Sequence, residues 1–302
     1  MATVLRIATG TTGFNWLPVF LAERRGSFAH AGIAIEPLSL GTVDKATAAV
    51  RSGEADLAVT PPEGAIAGRA SGGRLKLIAG NVNRLPLSLI AHPRFRTIEA
   101  LKGAVLGTSS LTEGTALYTM EVLRRHGLNY PGDYSFNVVG VHPARWEALQ
   151  DGRIDAAVQL IPLNFVAEDA GYRNLGEVSD WIPEIIFAAF IAEEDRAEQL
   201  RPELVAFLRC LMDASRALYD EANDDELLAL IAETAKAEGP YARRCLDYVR
   251  EKKVFPTDLA IPWPAFAKTL ELMRMAGVAD AAVMIAAPQV LDDGIRREAA
   301  KA

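Results

Sequence analysis

Apolar residues in this chain come in two arrangements that take turns. Short continuous runs, VLRIAT (Val4 to Thr9), GIAIEPL (Gly32 to Leu38), LAVT (Leu57 to Thr60) and LKLIAGN (Leu75 to Asn81), read as buried strands. Between them lie stretches in which apolar residues recur every third or fourth position: Asn15 to Arg24, Asp44 to Ser52 and Glu63 to Ala70. These read as helices, with Asn15 placed as an N-cap and Gly26 as a stop. Strands separated by helices, with no room for hairpins, predict parallel order and right-handed crossovers.

The pattern then repeats. Ala49 to Thr60 reads AVRSGEADLAVT, and 99 residues later Ala148 to Gln159 reads ALQDGRIDAAVQ, with five of the twelve positions identical. Each copy is a helix end, a Gly stop, a polar turn carrying an Asp and a short apolar strand. Upstream, the strand and helix from Val4 are matched by a strand at Ala104 to Ser110 and a helix from about Thr115 to Arg125. The repeat predicts an α/β fold of two similar lobes, each a mainly parallel sheet flanked by helices. Leu87 to Ala91 and Ile185 to Ala192 read as the two crossings, paired as a two-stranded hinge. Lobe 1 is then 1–90 plus 188–302, and lobe 2 is 91–187. From Glu193 onward the pattern is helical and carries no catalytic signature, so this C-terminal helical segment reads as a cover for one lobe and the hinge.

Composition narrows the function. Half of the 302 residues are apolar and 24% are charged, which suits a globular chain with two cores. A formal charge of −7 argues against a nucleic-acid partner, and the longest apolar runs are too short for membrane insertion. Cys210 and Cys245 have no metal-site spacing and read as buried small hydrophobes, so neither a disulfide framework nor a metal site is expected. Met1 to Gly10 lacks a basic segment followed by a long apolar one. As written the chain reads as cytoplasmic, and as periplasmic if a leader has been removed.

In sheets of this kind ligands bind beyond the carboxyl ends of the strands. In lobe 1 those ends carry Gly10, Thr11, Thr12, Phe14 and Asn15, then Thr60, Pro61 and Glu63, then Asn81 and Arg84. In lobe 2 they carry Thr108, Ser109, Ser110, Thr112 and Glu113, then His142, then Gln159. Small hydroxyls and free amides before a helix suit an anion such as a carboxylate, sulfonate or phosphate, and they also suit simple capping. Phe14 offers an aromatic wall, Arg84 a bidentate partner for a carboxylate, and Glu63 either a floor for the cleft or a complement to its own helix dipole.

The stretch LPVFLAERRGSFAHAGIAIEPL (Leu17 to Leu38) resembles the first helix and second strand of substrate-binding proteins of the aliphatic-sulfonate, nitrate/taurine and thiamine-pyrimidine-precursor group. Gly26, Phe28, Gly32 and Ile33 carry that likeness, together with GEADLAVT (Gly53 to Thr60) and TIEALKGAVLGTSS (Thr97 to Ser110). The resemblance covers roughly residues 5 to 190. It implies a type 2 periplasmic-binding-protein-like fold that closes about a hinge on a small molecule, with an ABC transporter permease as a partner.

Two functions follow as expectations. The first is a binding protein for a small anionic or aromatic organic molecule, a sulfonate, carboxylate or pyrimidine. The second is a cytoplasmic enzyme on the same fold, a decarboxylase, hydrolase or lyase of a small organic acid, with His142 as acid or base. No cofactor is expected, because no Lys in a cleft-forming turn offers a pyridoxal Schiff base.

Overall fold

A computed structural model, describing residues 2–301, shows two five-stranded sheets built to one plan. The chain lays down β1 (Thr3–Thr9), β2 (Ile33–Ser39), β3 (Leu57–Thr60) and β4 (Leu75–Val82), and then crosses. It builds β5 (Leu87–Ala91), β6 (Val105–Thr108), β7 (Ser135–Val138), β8 (Ala156–Leu160) and β9 (Arg173–Glu177), and returns as β10 (Ala188–Glu193). Strand order is β2-β1-β3-β10-β4 in one sheet and β7-β6-β8-β5-β9 in the other. In each sheet four strands run parallel, and the strand arriving from the opposite lobe is inserted antiparallel between the third and the last.

That insertion corrects the expected hinge. β5 pairs with β8 and β9, and β10 pairs with β3 and β4, so the two apolar runs lie in different sheets rather than beside each other. It also moves Leu87 to Ile90, expected in lobe 1, into the second sheet. An apolar run carries no mark of which sheet will bury it. The crossings do run side by side a few residues away, where Phe187 N donates to Val82 O at 2.9 Å and Ile185 N to Asn83 O at 3.2 Å.

The duplicated stretch folds to the same helix, left-handed Gly and strand in both lobes. Gly53 (φ 79°) and Gly152 (φ 71°) take the left-handed conformation that ends a helix and that a side chain would strain. The helix Val43–Ser52 ends at the first and His142–Gln150 just before the second. At the other end of Val43–Ser52, the Thr42 hydroxyl accepts from Lys45 N as N-cap.

The tail helices do more than cover one lobe. Arg201–Ala217 packs on Leu17–Arg24 and on the short helix Ser27–His30, where Phe207 stacks on Phe28 at 5.5 Å between centroids. Pro240–Lys252 packs on Asp224–Thr234 and also reaches lobe 2. There Tyr241 Oη donates to Asp169 at 2.9 Å, Tyr248 Oη donates to Glu177 at 3.2 Å, and the Arg244 guanidinium lies 4.1 Å from the Phe165 ring centroid. Trp263–Met275 packs on Thr115–Arg125 of lobe 2. No helix among the described residues is long and apolar enough to cross a membrane.

Candidate functional site

The carboxyl ends of the two sheets face each other, and the lobes are in contact across them. A Cβ on Gly10 would lie 2.8 Å from Val141 Cγ1 of the opposite lobe, and one on Gly114 would lie 3.4 Å from Pro61 Cγ. Between the lobes is a cavity of about 50 Å³. Four helices, or the turns that lead into them, bring their N-termini to its wall: at Asn15, at Val43, at Gly114 and Thr115, and at Val141 and His142. Each brings the positive end of a helix dipole towards the cavity.

One side chain dominates this wall. Arg145 is 2% exposed, and its guanidinium pairs with no carboxylate among the described residues. Nε donates to Val158 O at 3.1 Å, and Nη1 to Thr115 Oγ1 and Gly140 O at 3.4 Å each, while Nη2 has no partner among the described residues. Desolvation lowers its pKa, yet a guanidinium keeps its charge at neutral pH. An uncompensated buried cation costs several kcal/mol. A site that keeps one is complementary to an anion.

His142 is half-buried, with its remaining surface on the cavity. Desolvation, and then the Arg145 charge, push its pKa down to about 3. Its imidazole is therefore neutral at physiological pH and serves as a hydrogen-bonding group.

Of the residues singled out from sequence, Gly10, Thr11, Asn15, Thr60, Pro61, Ser109 and His142 line the cavity. Others hold the wall in place. Asn81 Nδ2 donates to Asn15 O at 2.9 Å, and the Thr108 hydroxyl donates to Ser110 O at 2.9 Å and contacts Thr115 Oγ1 at 3.1 Å. Gln159 sits against the first turn of the His142 helix, where the amide orientation that satisfies both of its groups accepts from Trp146 N at 3.0 Å and donates to His142 O at 3.2 Å. Thr12 offers its carbonyl to the Thr11 hydroxyl, and Thr112 N donates to Ser110 Oγ at 3.2 Å.

Some residues go elsewhere. Phe14 is buried against Phe255 at 5.7 Å between centroids, so it is core and not a cleft wall. Arg84 lines a separate depression with Tyr248 and Lys252. Ser110 bridges the lobes by donating to Asp44 Oδ1 at 3.1 Å, and Glu63 and Glu113 are buried beside that contact.

Arg145 escaped the sequence reading because an Arg in an amphipathic helix defaults to the solvated face. The repeat held a signal for it. At the 99-residue offset Arg145 falls on Ala46, which is fully buried in lobe 1.

With the geometry in hand, three solved structures bear comparison. A protein from Bordetella bronchiseptica superimposes with a TM-score of 0.83 at 20% identity, over 99% of this chain and 97% of that one. The nitrate-binding protein NrtA from Synechocystis gives 0.80 at 16% identity, over 99% and 89%. The alkanesulfonate-binding protein SsuA from Xanthomonas axonopodis pv. citri, bound to MOPS, gives 0.77 at 17% identity, over 96% and 98%. These likenesses show the periplasmic-binding-protein fold that the resemblance implied, built on the two lobes expected from the repeat. A comparison with curated protein sequences gives no match. Residues 13–223 match the family described as NMT1/THI5 like, which takes in both copies of the repeat, and the chain belongs to that family.

Proposed function

We propose that this protein binds a compact organic monoanion between its lobes and presents it, in the closed form, to a membrane transport system. The observation that carries the proposal is the buried Arg145 guanidinium, one nitrogen unpartnered, on a cavity into which four helix N-termini also point. A carboxylate or sulfonate head would take its charge from Arg145 and hydrogen bonds from the Thr11 and Ser109 regions.

Val43, Val59, Val141 and Phe187 make much of the remaining wall apolar, which suits a ligand with a small hydrocarbon body. A volume of about 50 Å³ has room for roughly four water-sized groups, so a longer ligand would hold the lobes further apart. The fold relatives named for alkanesulfonate and nitrate both take anions. Delivery to an ABC transporter permease rests on the fold and on those names.

Isothermal titration against short alkanesulfonates, short carboxylates and matched neutral amides tests the reading. Binding of an acid, with none of its amide, is expected. Equal binding of both, or of the amide alone, rejects it.

A further inference from the structure

Next to the cavity three acidic side chains meet across the closed cleft. Asp44, at the start of Val43–Ser52, and Glu63, at the start of Glu63–Arg69, belong to the first lobe. Glu113 belongs to the second, in the turn between β6 and Thr115–Arg125. Glu113 is 5% exposed and Glu63 1%. Glu113 reaches so far into lobe 1 that a Cβ on Gly64 would be 2.3 Å from its Oε1. Glu113 Oε2 lacks a hydrogen-bond partner among the described residues and Glu63 has none of good geometry, although the backbone amides of Glu63 itself and of Gly114 face the Glu63 carboxyl and favour its charge. The Glu113 carboxyl contacts that of Asp44.

The groups facing Glu113 offer its charge little support. Glu63 and Asp44 repel it, the Ser110 hydroxyl is engaged by Asp44, and the buried Tyr118 phenol on the helix that follows is uncharged. Arg51 alone among these is a cation that favours ionisation. The described residues hold no group of three or more His, Cys, Asp or Glu side chains placed to hold a metal ion. A hydrogen bond between two carboxyl groups requires a proton, and closing the lobes creates that contact.

We propose that closure of the cleft takes up a proton on Glu113, so that the closed form dominates at low pH and opens as this carboxyl ionises. In an open form Glu113 faces water and has an ordinary carboxylate pKa of about 4.3. In the closed form burial first, then the charges of Glu63 and Asp44, push it up to about 9, and burial pushes Glu63 up to about 8. The closed-state value is the raised one. Closure is therefore fully favoured below the open-state value, and that advantage is lost as pH rises through the closed-state range. The proposal rests on the hinged reading of the fold but not on the ligand.

Small-angle X-ray scattering of the ligand-free full chain from pH 5 to 10 tests it, with far-ultraviolet circular dichroism confirming that secondary structure persists. The wild-type radius of gyration is expected to rise as pH increases towards and through the range in which Glu63 and Glu113 ionise in the closed form. Glu113→Gln, neutral and of the same shape, should stay compact to a higher pH than the wild type. Arg145→Met, which removes the anion anchor, should keep the wild-type pH course, so failure of the anion reading leaves this result intact. A wild-type radius constant over the range overturns the proposal. So does a Glu113→Gln variant that opens with the wild-type midpoint, and if that variant is poorly folded, Asp44→Asn should move the midpoint instead.

Discussion

Asp56 and Asp155 accept the same hydrogen bond in the two lobes. Asp56 Oδ2 receives the backbone amide of Arg6, and Asp155 Oδ2 that of Val105, each at 2.8 Å and each from the first parallel strand of its sheet. In return the Asp56 amide donates to Arg6 O at 2.9 Å and the Asp155 amide to Val105 O at 2.7 Å. The reciprocal pair ties the polar turn after each repeated helix to the centre of its sheet.

The two carboxylates differ in what else they hold, and this makes the first prediction. Asp56 also pairs with the Arg6 and Arg196 guanidiniums, whereas Asp155 pairs with Arg94. Asp56→Ala should destabilise by about 3 kcal/mol and Asp155→Ala by about 2 kcal/mol, since each leaves a strand amide unpaired and loses charge-assisted hydrogen bonds. Burial works against the Asp56 charge, but the Arg6 amide and the two guanidiniums outweigh it and hold its pKa below the usual range. A lowered folded-state value contributes stability that is present above the unfolded pKa and lost as pH falls through the folded one. Urea denaturation of Asp56→Asn should therefore show a weaker loss of stability below about pH 4 than the wild type. Parallel acid profiles for the two proteins would contradict this.

Arg145→Met should separate binding from stability. Removing a buried unpaired cation in favour of an apolar side chain of similar length is expected to stabilise the ligand-free protein by about 1 kcal/mol or more. Loss of the charged anchor should weaken anion binding at least 100-fold, on the order of 3 kcal/mol. Calorimetric melting with titration of the ligand found for the wild type checks both. A destabilised variant with intact affinity would make Arg145 a structural residue.

Gly10→Ala places a methyl group 2.8 Å from Val141 Cγ1 in the other lobe. The added carbon should hold the lobes apart without unfolding either. About tenfold weaker ligand binding is expected, with an unchanged melting temperature and a larger radius of gyration at pH 5. Val141→Ala in the same chain should restore closure, and its failure to do so would move the clash elsewhere.

Arg244 lies over Phe165 and pairs with Glu168 and Asp169, holding a tail helix to lobe 2. These groups are partly exposed, so Arg244→Ala should cost about 1 kcal/mol in all. Raising the salt concentration should remove part of that difference. A salt-independent loss would assign the effect to packing of the arginine stem over the Phe165 ring.

Much of the architecture could be read before the structure. The Gly stops at Gly53 and Gly152, the Asp turns and the alternation of strand with helix are short-range features, set by backbone geometry within a few residues. The repeat carried them into two lobes, and strand-end logic brought Gly10, Thr60, Ser109 and His142 to one cavity. The same reasoning misplaced Leu87 to Ala91, because an apolar run fits the middle of either sheet. It also aimed Phe14 at the cleft, although its partner Phe255 lies in the distant tail.

The sequence by itself determined two copies of a parallel unit and a cleft between their strand ends. Which charges the cleft holds was decided only when the lobes packed. Arg145 is buried because Val158, Thr115 and Gly140 surround it, and Glu113 loses its water because Gly64 of the other lobe lies against it. Periodicity is a property of neighbouring residues and is written locally. Desolvation depends on groups far away along the chain, so the functional charges emerge only in three dimensions.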